Sequence, residues 1–180
     1  IAARFLGRGD DVLPGLLDSH THPPGAALSE LTTEFAVIRS FDDIRAYIRR
    51  QAAKTPKGEW IHVPKTFPAR LKEMRMPTRD VLDATLEHPV FYDASYANAV
   101  NSHALKMSGI TRDTPDPPHE GARIIKDKNG EPNGILTGRA TELLKNISRR
   151  GDRFTDQQRL DALEAMLKRY AAAGLTGVTD

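Results

Sequence analysis

The chain contains no cysteine, which excludes disulfides, thiolate metal sites and a cysteine nucleophile. No apolar run approaches the roughly 20 residues that span a bilayer, and the first ten residues lack the n-region and long apolar h-region of a secretory signal. Charge of one sign is missing too. The 26 basic and 24 acidic side chains leave a net +2 over 180 residues, and no basic cluster is interleaved with aromatics, so nothing electrostatic argues for nucleic acid. Aromatics are sparse, and the single Trp, Trp60, stands out as either a core anchor or a pocket wall. What is left is an ordinary globular composition with 28% charged and 39% hydrophobic residues. A complete domain of this size hides roughly 70% of its unfolded surface. With no membrane or export signal, cytoplasmic location is the default expectation.

The most informative stretch is Leu13-Pro14-Gly15-Leu16-Leu17-Asp18-Ser19-His20-Thr21-His22. An apolar run that ends in His-Thr-His predicts a buried parallel strand with a polar tip. Side chains at i and i+2 share a face, so His20 and His22 project together and Thr21 projects oppositely. Two convergent imidazoles suit a divalent metal such as Zn, Fe, Ni or Cu, and the carboxyl end of a strand is where α/β folds place ligands. Asp18 falls on the same side by alternation. It is a candidate to orient a ligand imidazole from behind, the alternative being a buried carboxylate bonded to backbone. Two imidazoles fall short of the three protein ligands a catalytic zinc usually takes, so the catalytic residues themselves stay unknown at this stage.

The rest of the chain reads in order. Residues 1–12 approach the first strand, and Arg8-Gly9-Asp10 within them reads as turn chemistry. Residues 23–40 read as a loop opened by Pro23-Pro24-Gly25, with a short strand at Phe35–Ile38. Ser40-Phe41-Asp42-Asp43 matches a capping box, and Phe41, Ile44, Tyr47 and Ile48 fall on one face of a helix predicted over 41–53. Lys57–Val63 reads as a turn and a strand, and 66–77 as an irregular loop. Thr78 is placed as the cap of a helix that packs Val81, Leu82 and Leu86 inward and ends at His88-Pro89. A strand over 89–93 follows, then a short helix closed by Gly109. Asn129-Gly130 between two strand-like runs predicts a hairpin, and a helix over 137–147 comes next. Thr155-Asp156-Gln157-Gln158 is a second capping box, with Leu160, Leu163, Leu167, Tyr170 and Ala171 at helical spacing over 156–173. Leu175–Asp180 is a β-rich run. Strand, long excursion, helix and second strand predict an extended parallel βαβ unit.

The His-x-His stretch resembles the amidohydrolase superfamily, whose first barrel strand carries Pro-Gly-x-x-Asp-x-His-x-His; Pro14, Gly15, Asp18, His20 and His22 match it position for position. Further pieces extend the resemblance to the amidohydrolase family 3 branch: Gly58-Glu59-Trp60-Ile61, Pro77-Thr78-Arg79, His88-Pro89-Val90, Asn101-Ser102, Gly130-Glu131-Pro132, Gly134-Ile135-Leu136 and Ala173 to Asp180. The resemblance implies an α/β fold, a partial TIM (β/α)8 barrel of about two strands with a large α+β subdomain inserted between them. The implied division is 1–39 for the approach and first strand, 40–150 for the insert, and 151–180 for a barrel helix and second strand. It implies His20 and His22 as metal ligands, with zinc the expected ion, and gives Asp180, which ends a strand, no catalytic role. Trp60, Tyr96 and Asn101 are candidates for the substrate pocket; Asn101 equally fits as the cap of the helix that follows it. The chain departs from the family pattern at Tyr96, at His62-Val63-Pro64-Lys65 and at Gly138, which bears on substrate more than on metal.

The activity implied is hydrolysis of an amide-type C–N bond other than a peptide bond, by metal-activated water, on a small-molecule substrate. A start on Ile1 rather than Met raises the expectation of a fragment, inactive alone, with a homodimer of the full-length protein as the one assembly entertained. The rival readings are a binding or regulatory module or remnant, and a deaminase or lactone hydrolase of the same fold.

Overall fold

In a computed structural model that describes residues 14–32, 34, 36–147 and 154–180, helix α1 (Pro23–Thr32) and helix α2 (Phe41–Ala52) each begin where local chemistry directs. For α2, Ser40 sits in extended backbone and its hydroxyl oxygen accepts from the Asp43 amide at 3.2 Å. The Asp43 carboxylate accepts in turn from the Ser40 hydroxyl at 3.0 Å and the Arg39 amide at 2.9 Å, so side chains satisfy donors that the helix leaves open. The face predicted for it, Phe41, Ile44, Tyr47 and Ile48, is buried. No helix among the described residues is long and apolar enough to cross a membrane.

The chain is mixed α/β and forms two compact units. The larger, from the described residues of Thr33–Arg149, is built on a five-stranded sheet of order β2-β3-β4-β6-β5. Its strands are β2 (Ile61–Val63), β3 (Val90–Asp93), β4 (Ala97–Val100), β5 (Arg123–Lys126) and β6 (Pro132–Thr137), and only β2 and β3 are parallel neighbours. Alternation sorts the side chains into two cores. Ile61, Val63, Val90 and Tyr92 pack with α2 and the one-turn helix α3 (Arg79–Leu82). On the other side, Val100, Ile124 and Leu136 pack with helix α4 (Ser102–Ser108), and Trp60 and Phe91 lie against that cluster. The β5–β6 turn forms as its Asn-Gly predicts: Asp127 Oδ1 accepts from the amides of Asn129 at 2.8 Å and Glu131 at 3.0 Å, with Gly130 at φ +81°.

The smaller unit comprises the described residues of Ile1–Thr32 and Arg150–Asp180. Strands β1 (Leu16–Asp18) and β7 (Leu175–Val178) pair in parallel, as the βαβ pattern requires. Helix α5 (Asp156–Ala172) carries the predicted box, with Thr155 and Gln158 each accepting from the other's amide, and packs against α1, where Arg169 and Glu30 form an ion pair at 2.5 Å. Gly15 lies so near β7 that a Cβ there would sit 2.1 Å from the Thr176 side chain, so the Pro-Gly step is a packing requirement.

Several expectations are corrected. Residues 23–32 are a helix, not a loop: Pro23 and Pro24 occupy its first positions, where the missing N–H groups have no helical partner to lose. Residues 36–38 are irregular rather than strand, and Phe35, like Arg8-Gly9-Asp10, lies outside the described residues. The helix opened at Thr78 lasts a single turn and Leu86 is 62% exposed; Asp83, the residue that follows the turn, accepts through its carboxylate from the Ser102 amide at 2.8 Å and the Ser102 hydroxyl at 2.7 Å. Thr78 takes the N-cap position in extended backbone, as expected, but its hydroxyl donates to Asp80 rather than making a capping bond. Strand β4 went unpredicted, since Ala-Asn-Ala is poor strand sequence, yet its small side chains suit a central strand. A 3₁₀ helix at Gly138–Leu143 replaces the predicted helix over 137–147. Finally, Leu16 and Leu17 are 60% and 77% exposed rather than buried, and Met166, not the Leu160–Leu167 face, is the buried residue of α5, since a two-stranded sheet with two helices cannot cover both of its faces.

Two substitutions test these local arguments. Gly134 adopts φ +97°, and a Cβ there would meet the Val100 carbonyl at 2.4 Å; Gly134→Ala is expected to lower stability by about 2 kcal/mol or more in urea melts. The Arg39 amide first, then the Ser40 hydroxyl, hold the Asp43 carboxyl below its ordinary value. A depressed folded pKa adds stability that is complete above the unfolded carboxylate pKa near about 3.9 and is lost as pH falls through the folded value. Asp43→Asn should therefore cost about 0.5 kcal/mol at neutral pH, given solvent screening, and the two urea midpoints should converge below that range.

Candidate metal centre

The histidine pair sits where β1 gives way to α1. Beyond Asp18 the ladder to β7 continues: the Thr179 amide donates to the Asp18 carbonyl at 3.0 Å, and the Thr21 amide to the Thr179 carbonyl at 2.9 Å. A regular parallel ladder bridges residues two apart, so the span from 18 to 21 accommodates one extra residue in the manner of a bulge. Asp18 stabilises that irregularity, its Oδ1 accepting from the His20 amide at 3.0 Å. His22 then becomes the residue from which α1 starts, its carbonyl accepting from the Ala26 amide at 2.9 Å. Ladder on one side and helix start on the other fix the backbone that carries both imidazoles.

The rings of His20 and His22 lie 5.0 Å apart between centroids, at 77° to each other. Two imidazoles that bind one tetrahedral zinc through nitrogens about 2.1 Å from it have centroids about 5 Å apart, so the pair fits a shared ion. Asp180, at the end of β7, places Oδ1 2.5 Å from His22 Nδ1, with the two side chains 53% and 66% exposed. Among the described residues no group of three or more His, Asp or Glu side chains is arranged to hold a metal. Of the two roles weighed for Asp18, the bond to backbone is the one present, its Oδ1 accepting from the His20 amide, and the carboxylate that meets an imidazole is that of Asp180. Sequence reasoning passed over Asp180 although one signal was present: in a parallel βαβ unit both strands end at the same edge, so the residues just past their ends become neighbours.

The three pocket candidates belong to the larger unit and are not gathered into one site. Trp60 packs on the second core beside Phe91, its ring 6.4 Å from that of His62 and its buried Nε1 without a hydrogen-bond partner among the described residues. Tyr96 is 64% exposed at the turn between β3 and β4. Asn101 lies at the opposite end of β4, about 16 Å away at the usual rise per strand residue. It is fully buried and all its side-chain bonding is internal: Oδ1 accepts from the Val90 and Ala104 amides, both at 3.0 Å, and Nδ2 donates to the Thr85 and His88 carbonyls at 3.0 and 2.9 Å. Two surface concavities of about 650 and 570 Å³ are lined by other residues.

Comparison with known proteins extends these observations. The family model described as the amidohydrolase family matches residues 8–180. An N-substituted formamide deformylase from Arthrobacter pascens is 33% identical over 178 residues, covering 96% of this chain and 32% of its own length. The putative amidohydrolase YtcJ of Bacillus subtilis is 33% identical over 173 residues, 94% of this chain and 32% of its own. The exoenzymes regulatory protein AepA of Pectobacterium carotovorum is 27% identical over 180 residues, 96% of this chain and 38% of its own. The chain therefore spans about a third of the length of the curated relatives it matches.

The geometry makes Asn101 a test of structure rather than of chemistry. Asn101→Ala strands two buried amides and two carbonyls, and should lower unfolding stability by about 2–4 kcal/mol with no change in metal affinity.

Proposed function

The chain belongs to the amidohydrolase family, and on that premise we propose that it takes part in metal-dependent hydrolysis of an amide-type carbon–nitrogen bond, other than a peptide bond, in a small-molecule substrate. His20 and His22 hold a divalent ion, with zinc the first candidate. The observation that carries the reading is the pair of imidazole rings 5.0 Å apart at the tip of β1, a spacing suited to one shared ion. A divalent ion supplies Lewis acidity, acidifying water and polarising a scissile carbonyl. The chain's own residues do the positioning. The Thr21 amide is tied to β7, which sets the direction of the residues flanking it, and exposure of the pair leaves it open to substrate. The bond type draws support from the Arthrobacter relative, since an N-substituted formamide carries a formyl C–N bond.

In this reading β1, α5 and β7 are two neighbouring strands and a helix of a (β/α)8 barrel, with the larger unit inserted between them. The usual three protein ligands and the general base are completed by residues beyond the pair, and the protein works in the cytoplasm. Trp60 and Tyr96 serve as candidate substrate contacts. The name of the Pectobacterium relative, a regulatory protein, favours a second reading, a module that binds a small ligand without turnover.

Metal content separates the readings. In the full-length protein, near-stoichiometric divalent metal should be lost in the His20→Ala/His22→Ala variant. Hydrolysis of a panel of N-formyl and N-acyl amines should fall at least about 10³-fold with it, as loss of a metal-bound nucleophile implies. Metal retained by the variant overturns the ligand assignment, and metal lost with no turnover of any substrate by the parent favours the binding module.

A further inference from the structure

We propose that Asp180 is the positioning residue of His22: its carboxylate accepts from Nδ1–H and so presents Nε2 to the divalent ion. The inference rests on the metal reading above. Its basis is the contact of 2.5 Å between His22 Nδ1 and Asp180 Oδ1, made by residues 158 apart in sequence. The contact follows from backbone, not from a chance meeting of flexible side chains. Thr179 bonds both Asp18 and Thr21, and His22 is fixed as the residue that starts α1, so the two side chains leave adjacent, ordered positions at the same edge of the sheet.

Two other roles for Asp180 fit less well. Were it a ligand sharing the ion with His22 Nδ1, the two ligand atoms would sit about 3.4 Å apart around a tetrahedral centre with bonds of about 2.1 Å; the 2.5 Å separation is a hydrogen-bond approach instead. Were it only a surface ion pair, it would contribute little, and nothing would explain its landing on one of the two residues that match the metal motif. A neutral imidazole carries one N–H, and the group that accepts it decides which nitrogen keeps its lone pair. Asp180 as acceptor leaves the Nε2 lone pair outward, so His22 meets the ion without first changing tautomer. Asp18, engaged by the His20 amide, does no such work on either ring.

The test uses the full-length protein as Asp180→Ala, Asp180→Asn and His22→Ala, with Zn²⁺ affinity read by chelator competition. The tautomer of His22 is read by ¹H–¹⁵N NMR of the metal-free protein, at a pH above the ordinary imidazole range. Asp180→Ala should weaken Zn²⁺ binding about 10–100-fold, the usual effect of removing a carboxylate behind a ligand histidine. Asp180→Asn should lose less, because its amide oxygen can still accept. The parent should show the Nδ1–H tautomer and Asp180→Ala a mixture, with thermal stability unchanged. Unchanged affinity in Asp180→Ala, alongside loss in His22→Ala, overturns the proposal and leaves the metal reading standing. A loss equal to that of His22→Ala with the tautomer unaltered makes Asp180 a ligand and overturns it equally. Zn²⁺ binding indifferent to all three variants overturns this proposal and the assignment of His22 together.

Discussion

The parallel ladder between β1 and β7 is the constraint on which the candidate centre depends. It sets Thr179 between Asp18 and Thr21, and from that one register follow the bulge under His20, the position of His22 at the mouth of α1 and the approach of Asp180. The ladder in turn requires Gly15, since any side chain there would occupy the space of Thr176. A glycine two residues into a Pro-Gly strand opening and a carboxylate on a metal-motif histidine are thus parts of a single packing problem.

The larger unit is organised by a different device. Asn101 joins the first residue of β3, the start of α4 and two carbonyls of the turn between α3 and β3 through its one amide group. Hydrogen bonds buried in this way add little beyond what water would offer, but leaving any of them unmade is costly, so the residue specifies a conformation more than it deepens a well.

What was legible in the sequence was mostly local. Ser40 and Thr155 announced their helices, Asn129-Gly130 its turn and the His-x-His run its strand tip, because capping, turn and alternation chemistry act over a few residues. The family resemblance, carried by Pro14, Gly15, Asp18, His20 and His22, agreed with the family match. What escaped was decided at a distance. β4 is a strand because its neighbours are, and Asp180 reaches His22 only through strand pairing. Helix α1 is the exception: the information was local, but Pro23-Pro24 was read as an ending when it was a beginning.

The separation of the paired strands has a consequence for how the chain assembles. Joining Leu16 to Leu175 closes a loop of some 159 residues, which in an open chain costs about 4–5 kcal/mol of configurational entropy before any contact forms. A pair of strands three and four residues long recovers little of that unaided. The larger unit, which holds its own sheet and two cores within the loop, shortens the effective distance once it condenses. The histidines and the carboxylate are thus brought together by the pairing that spans the most sequence among the described strands.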